Sequence, residues 1–313
     1  MALACGLPRV GVTHHPALRS PDFPRHCVPR WPNRPAPTPN GTSSRGATAC
    51  YSVPVLIMLP PSEGKTPPAN NQAEVLDVDS LTLPSLAPER RQVLQDLISA
   101  SERKDAQQLL RVGDKVMDEV AANQGLRQAP TAPAHQIYTG VLFDALATES
   151  LTTEQRKRAE TTVMIFSGLF GVTGFTDRIP AYRCAIDVNL PKTGKLSSFW
   201  KERLAAPLKE QVQNQLVVDC RSASYARTFR PDPQQTLAVN SFTERDGRRT
   251  VVTHFAKAAR GKLTGMLLRA ASPPQTIDDV ADIASQEWQV EVRPAAGNTP
   301  HQLDLISADR SAE

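Results

Sequence analysis

Hydrophobic residues along this chain occur in two patterns, short continuous runs and helically spaced sets. Residues 55–59 and 162–166 are continuous apolar or β-branched runs, which predict buried strands. Further strands are predicted at 216–218, 235–242, 249–255 and 288–292. Helical spacing predicts helices at 88–101, 149–159, 196–214, 256–268 and 277–285, and 67–87 is expected to be a surface loop. Because strands and helices interleave, we expect an α/β (α+β) fold with one mixed sheet and surrounding helices.

Residues 1–54 have a different composition, with no apolar periodicity and ten of the 27 prolines of the chain. Proline interrupts both helices and strand ladders, so we expect a disordered leader in front of a domain at 55–313. A GTG start codon would be read internally as valine, and we therefore favour a true start at Val53 or Val55. The alternative is a genuine disordered tail. The segment lacks the apolar stretch of a secretory signal.

The net charge of +4 and the pI of about 8.9 suggest nucleic-acid binding only until the charge is divided by segment. Residues 1–54 hold six Arg and one acidic residue, so the remainder carries 30 basic and 31 acidic residues. Within it, 221–269 holds ten basic and three acidic residues, followed by an acidic tail. Phosphate backbones attract such a segment, although a solvated helical face balanced by the tail explains it equally well. The chain lacks the run of about 18 apolar residues that a membrane span requires.

A polar cluster follows the first predicted strand and ends in Gly64-Lys65-Thr66. This ending is similar to a phosphate-binding loop, but Leu59 stands where that loop requires glycine, so the pattern is incomplete. The alternative is a strand exit with a solvated lysine. Polar residues at the carboxyl end of a strand nevertheless occupy the usual position of a ligand site in α/β proteins.

A glycine-rich segment, 167–174, follows the second apolar run and leads to Asp177 and Arg183. Three glycines in seven residues permit close backbone approach, and the charged residues would then stand on a short ordered loop. The spacing does not match the dinucleotide-binding pattern. Tight packing beside a surface ion pair is the alternative interpretation.

Several separated motifs occur in one order along the chain: Lys65-Thr66, Tyr138-Thr139-Gly140, Ser167-Gly168-Leu169-Phe170-Gly171, Asp177 with Pro180-Ala181-Tyr182-Arg183, Phe199-Trp200, and Phe255-Ala256-Lys257-Ala258-Ala259-Arg260-Gly261. Together they resemble the YaaA family of bacterial peroxide stress resistance proteins. The resemblance covers roughly 55–269 and weakens after Ser272. It implies a cytoplasmic protein that limits damage by hydrogen peroxide and binds DNA, a capacity attributed to a helix-hairpin-helix. Ser222 and Tyr225 resemble a family serine and tyrosine in a similar frame.

We expect a non-enzymatic protein whose partner is double-stranded or distorted DNA. The helix-hairpin-helix fits residues 109–116 best, around Val112-Gly113, although the usual second glycine is missing and a simple helix–helix corner is the alternative. Five basic residues are the DNA-binding candidates: Lys257, Arg260, Lys262, Arg269 and Lys115.

The rival hypothesis is an enzyme that acts on an anionic or nucleotide-like substrate in a cleft assembled from several loops. No nucleophile–base pair identifies its reaction. Lys65, Asp177, Arg183 and Lys257 are expected to form this cleft. The candidate cleft residues besides Lys257 are Lys65, Thr66, Asp177, Arg183, Ser222 and Tyr225. Cys184 and Cys220 are expected to be buried packing residues, and the histidines lack metal-ligand spacing, so neither a metal nor a cofactor is expected. A structural role in iron handling is a third, weaker alternative that the resemblance leaves open.

Overall fold

The structure is a computed structural model that describes residues 55–68, 74–245 and 248–308. The expected leader at 1–54 lies outside the described residues.

A mixed sheet of eight strands organises the described residues. In chain order its strands are β1 (Leu56–Leu59), β2 (Val163–Ser167), β3 (Gly171–Gly174), β4 (Val217–Asp219), β5 (Thr236–Arg245), β6 (Arg248–Thr250), β7 (Gln289–Arg293) and β8 (His301–Ala308). The order across the sheet is β7-β8-β5-β4-β1-β2-β3, and β6 pairs with β5. Strands β2, β1, β4, β5 and β8 are parallel, whereas β3, β6 and β7 each pair antiparallel. The predicted mixed-sheet α/β fold is therefore confirmed.

Helices surround this sheet. Those of the described residues are α1 (Ala87–Ser101), α2 (Ala106–Leu110), α3 (Met117–Ala122), α4 (Ala134–Ile137), α5 (Val141–Leu146), α6 (Thr153–Thr162), α7 (Leu196–Val212), α8 (Ala223–Ala226), α9 (Thr253–Arg269) and α10 (Ile277–Ser285). Within the described ranges, every helix is too short or too polar to cross a lipid bilayer.

Strand β1 lies at the centre of the sheet because each of its residues is apolar and can be buried on both faces. All four are at most 2% exposed. Ile57 lies opposite Val163 of β2 on one side and Val218 of β4 on the other. The chain passes from β1 to β2 on one side and later returns to β4 on the other side. The carboxyl ends of β1 and β4 therefore form a topological switch point, where α/β proteins bind ligands.

Arg90 of α1 joins the edge strand β3 to the loop before α1. Its guanidinium is fully buried and donates hydrogen bonds to the carbonyl oxygens of Thr82, Leu83, Phe170 and Val172 at 2.6–3.2 Å. Burial lowers the pKa of Arg90 to about 10, so the group remains a cation at neutral pH. One buried charge thus donates to four backbone acceptors, two of which, Leu83 and Phe170, also accept from a backbone amide.

Several parts of the secondary structure differ from prediction. Strand β3 lies within the glycine-rich segment 167–174, which was not predicted to be a strand. The strand expected at 249–255 is wrong in extent, because β6 ends at Thr250 and α9 begins at Thr253. Val251 and Val252 gave that segment its strand-like composition, yet they are 65% and 38% exposed. Strand β8 was not predicted at all, and it lies between β5 and β7.

Candidate functional site

The loop after β1 carries Lys65 and is fixed to the segment that precedes α5. Lys65 forms an isolated antiparallel bridge with Tyr138, and the Thr66 amide donates to the Ile137 carbonyl at 3.0 Å. The Thr139 amide donates to the Ser62 hydroxyl oxygen at 3.1 Å. These backbone contacts fix the position of the Lys65 backbone at the carboxyl end of β1.

The Lys65 amine lies in a polar and aromatic setting. Its Nζ donates to the carbonyl oxygens of Ser62 at 2.9 Å and Glu63 at 3.2 Å. It also lies 4.3 Å from the ring centroid of Tyr182 and 5.5 Å from that of Tyr138. Carbonyl oxygens and ring faces favour the ammonium form. Burial, and next the positive charge of Arg183, oppose it and lower the pKa of Lys65 to about 7. Both protonation states are therefore populated near neutral pH.

A chain of buried hydroxyl groups lies beside this amine. The Ser167 hydroxyl, at the end of β2, is 2.7 Å from the Tyr182 hydroxyl, which is 3.0 Å from that of Tyr138. The Phe170 amide donates to Ser167 Oγ at 2.9 Å and fixes the end of the chain. Burial raises the pKa of Tyr138 to about 12 and that of Tyr182 well above its usual value. Both phenols are therefore neutral at physiological pH and can donate as well as accept hydrogen bonds.

Arg183 adds a second positive charge next to Lys65. Its Nη1 donates to the Glu63 carbonyl oxygen at 3.1 Å and to a Glu119 carboxylate oxygen at 3.3 Å. The Arg183 amide donates to Asn123 at 2.9 Å, so the residue is fixed by its backbone as well. Its side chain is 20% exposed, and Glu119 balances part of its charge.

Cys184 and Cys220 are both buried free thiols, as the sequence predicted. Burial raises the pKa of each to about 12. Since the thiolate is the form that reacts with peroxide, neither cysteine has the environment of a peroxide sensor.

The segment after β4 contributes Ser222 and Tyr225. Ser222 is the residue before α8, and its hydroxyl lies 3.3 Å from that of Ser224. Tyr225 is half-buried and packs against the core. Burial, and next the neighbouring Cys184 thiol, raise the pKa of Tyr225 far above its usual value. Tyr225 thus links the β4 exit to the Lys65 side of the switch point.

Asp177 has a different surrounding from the other candidate cleft residues. Its carboxylate accepts hydrogen bonds from the Thr82 amide at 2.9 Å, the Thr82 hydroxyl at 2.8 Å and the Gly174 amide at 2.9 Å. Burial raises its pKa. These contacts join the end of β3 to the loop before α1, and a ligand-binding role for Asp177 stays a prediction.

The structure brings Lys65, Thr66, Arg183 and Tyr225 to the exits of β1 and β4. Tyr138, Tyr182 and Ser167 are motif residues in the sequence, but their pattern did not predict them as site residues. The sequence did contain an indication of their role, since all three belong to motifs that follow or flank the apolar strands. Their hydroxyl groups meet only through the fold.

Helix α9 packs parallel to α5 through two glycines. A Cβ atom on Gly261 would lie 1.9 Å from the Leu142 carbonyl oxygen, and one on Gly265 would lie 2.8 Å from that of Leu146. The start of α5 is therefore level with Arg260. At 1.5 Å per residue, the first turns of α9 extend about 10 Å beyond α5, on the side where β5 ends.

Three of the predicted DNA-binding cations on α9 make intramolecular contacts. Arg260 donates to the Val239 carbonyl oxygen at 3.0 Å, and Lys262 forms an ion pair with Glu287 at 2.5 Å. Arg269 donates to three oxygens near the end of α5, those of Leu146, Ala147 and Ser150. These contacts hold α9 in place, and DNA binding by the same residues stays a prediction.

The projecting turn of α9, residues 253–257, exposes both apolar and basic side chains. Phe255 is 56% exposed, and the exposed Val251 and Val252 precede it. The His254 ring meets the Phe255 ring edge to face at 6.0 Å between centroids. Lys257, one half-turn further along, is exposed. Residues two apart on a helix point to different sides, so the ring and the lysine expose two sides of this turn, a surface that needs an explanation.

Residues 109–116 form the end of α2, a turn and a short 3₁₀ helix that leads into α3. Arg111 adopts the left-handed conformation that ends α2, Gly113 is extended, and Lys115 is exposed. The predicted corner between two helical segments is thus present, but a helix-hairpin-helix that binds DNA stays a prediction.

Two grooves of about 1100 and 800 Å³ flank residues 227–235. Neither is lined by Lys65 or Lys257. They give no support to the enzyme hypothesis as it was framed from the sequence.

Comparison with known proteins supplies a family for this arrangement. Residues 55–293 match the family model described as peroxide stress protein YaaA. A UPF0246 protein of Streptomyces coelicolor is 37% identical over 259 residues, which cover 80% of this chain and 98% of that protein. A UPF0246 protein of Corynebacterium glutamicum is 38% identical over 233 residues, covering 74% of this chain and 91% of that protein. An uncharacterized protein of Campylobacter jejuni is 28% identical over 211 residues, 66% of this chain and 82% of that protein.

The match begins at the central strand β1 and extends through β7, so it includes both the Lys65 site and the projecting turn of α9. The resemblance inferred from separated motifs is confirmed: this chain belongs to the peroxide stress protein YaaA family.

Proposed function

We propose that this peroxide stress protein acts in the cytoplasm by binding DNA and limiting its oxidative damage, without catalysing a reaction. The observation that carries the proposal is the projecting turn of α9, which exposes Phe255 and Lys257 on different sides of the helix. An ammonium group attracts the phosphate backbone without regard to sequence. An exposed aromatic ring can stack on a base that is not held in a pair, worth about 1–3 kcal/mol per base. The combination favours distorted DNA over a regular duplex.

The family description supports the biological side of this proposal, since a peroxide stress protein must protect some oxidisable target. The small net charge of the domain explains why a DNA-binding surface would be confined to one part of it. Residues 55–313 are nearly neutral in sum, so attraction to DNA depends on where the basic groups project. Of the cations on α9, Lys257 is exposed near the projecting end, whereas Arg260 and Arg269 hold neighbouring backbone.

Fluorescence anisotropy with a labelled duplex, and with the same duplex carrying one unpaired base, tests the proposal over a series of salt concentrations. Lys257→Ala is expected to weaken binding to both DNAs and to reduce the salt slope by about one. Phe255→Ala is expected to weaken binding to the unpaired-base duplex by about tenfold and to the regular duplex less. Lys209→Ala, an exposed lysine on α7, is the matched control. Absence of binding by the unmodified protein at low salt would refute the proposal.

A second candidate function is binding or turnover of a small anionic ligand at Lys65. It is favoured by one specific observation, the lysine of near-neutral pKa beside Arg183 at the topological switch point. Calorimetry with nucleoside monophosphates tests it. Lys65→Ala is expected to abolish binding of the small ligand and to leave DNA affinity unchanged, whereas Lys257→Ala is expected to do the reverse if the two sites are separate.

A further inference from the structure

The Lys65 amine differs from the other lysines described here in being held at a fixed position beside neutral hydroxyl groups. Two backbone carbonyl oxygens of its own loop fix Nζ, and the faces of Tyr182 and Tyr138 form its walls. Part of the Lys65 surface is nevertheless open, so a ligand can reach it. An amine that is oriented, partly shielded from water and accessible has the requirements of a nucleophile toward carbonyl carbon.

We propose that Lys65 forms a reversible imine with a ligand that carries an aldehyde next to a phosphate. The nitrogen lone pair attacks the aldehyde carbon, a C–N bond forms, and the carbonyl oxygen takes a proton to give a carbinolamine. Loss of that hydroxyl group as water, with loss of the remaining N–H proton, leaves the C=N bond. Aldehyde and amine thus give imine and one water, with no oxidant or reductant.

Neighbouring groups fit each requirement of this step. The neutral phenols of Tyr182 and Tyr138 can donate a hydrogen bond to the departing hydroxyl group, which takes its proton from solvent. Arg183 supplies positive charge for the phosphate. Burial keeps part of the Lys65 amine uncharged at neutral pH. The charged or titratable groups that face it are Arg183, Glu119, Glu63, Cys184, Tyr182 and Tyr138.

Two sources share this ligand chemistry. One is an abasic site in DNA, whose open sugar carries an aldehyde between phosphates, and this source rests on the proposed DNA binding. The other is a free sugar phosphate, which does not. Because both present an aldehyde and a phosphate within a few bonds, the contacts at Lys65 suit either one.

Borohydride reduction of the imine, followed by peptide mass mapping, tests the proposal in two arms. The full chain is incubated at pH 7 with an abasic duplex in one arm and with ribose 5-phosphate in the other. Labelling of Lys65 at least about tenfold faster than any exposed lysine is expected in one arm or both, since ordinary lysines remain protonated at this pH. Labelling in the abasic arm alone, or in the sugar phosphate arm alone, supports the proposal and identifies the source.

Lys65→Ala and Lys65→Arg are both expected to lose the label, and the arginine variant keeps a long cation for the loop contacts if the alanine variant fails to fold. Lys209→Ala is expected to label like the unmodified protein. Equal labelling of Lys65 and exposed lysines in both arms, or no labelling of Lys65 in either, would overturn the proposal. Anisotropy on an intact duplex, measured in parallel, separates this failure from a failure of DNA binding itself.

Discussion

Gly261 is the closest point of contact between α9 and the backbone of α5, and Gly261→Ala is expected to destabilise the protein. A Cβ atom there would lie 1.9 Å from the Leu142 carbonyl oxygen and 2.8 Å from its carbonyl carbon. Contacts below 3.0 Å are essentially never tolerated by real Cβ atoms. The two helices must therefore separate by about 1 Å, because no side-chain rotation can relieve a clash with backbone.

The magnitude follows from two opposing effects. Alanine is favoured over glycine inside a helix by about 1 kcal/mol, which alone would make the variant more stable. Overpacking a well-packed contact costs typically 1–3 kcal/mol and occasionally more, and a clash with backbone belongs at the upper end. We expect a net loss of about 2 kcal/mol in the free energy of unfolding. For a domain of this size the melting temperature would fall by about 4–8 °C.

Urea unfolding followed by circular dichroism measures this change, and Gly125→Ala is the matched control. Gly125 closes the 3₁₀ helix before Leu126, and a Cβ atom there would meet nothing within 4 Å. Its substitution is expected to be neutral or to stabilise by up to about 1 kcal/mol. If Gly261→Ala were as stable as the unmodified protein, α9 and α5 would have to be further apart than described, and the projection of α9 beyond α5 would lose its basis.

Three other substitutions test separate parts of the fold. His135 is buried against Phe175, and burial lowers its pKa to about 4, so the unfolded state takes up its proton first as pH falls. Stability should be full above about pH 6.5 and decline toward pH 4, and His135→Phe should flatten that decline in urea titrations at several pH values. Arg90→Met leaves the Thr82 and Val172 carbonyl groups without this donor, while those of Leu83 and Phe170 keep a backbone donor, and calorimetry should show a loss of about 2–5 kcal/mol. Thr276→Ala removes the capping box with Asp279 at the start of α10 and should cost about 1 kcal/mol in chemical unfolding, with no effect on DNA affinity.

The elements that the sequence predicted well are those in which the buried residues form a continuous apolar run. Strand β1 needs no partner to be recognised, because every residue in it is apolar. Strand β8 contains Asp304, a buried carboxylate that breaks the apolar pattern. Arg293 and Asn240 satisfy that carboxylate at 2.8–3.0 Å, and both contacts come from neighbouring strands. The residue pattern of one segment cannot reveal the hydrogen-bond partners that lie on other segments.

The same reasoning applies to the candidate site. A polar cluster after a buried strand placed Lys65 correctly at the carboxyl edge of the sheet. The hydroxyl chain joins Tyr138 to Tyr182, 44 residues apart, and no local periodicity connects them. The cleft role predicted for Asp177 stays a prediction. Its hydrogen bonds with Thr82, 95 residues away, could not be read from the glycine-rich segment beside it.

The central position of β1 also affects the protein during its own synthesis. Strand β1 is made early, but its partners β2 and β4 lie more than 100 and more than 150 residues downstream. At ribosomal rates of about 5–20 residues per second, β1 waits on the order of ten seconds or more for β4. During that time the nascent chain exposes a fully apolar strand with unpaired edges. Chaperones that cover exposed apolar strands would then protect β1 until β4 has been made.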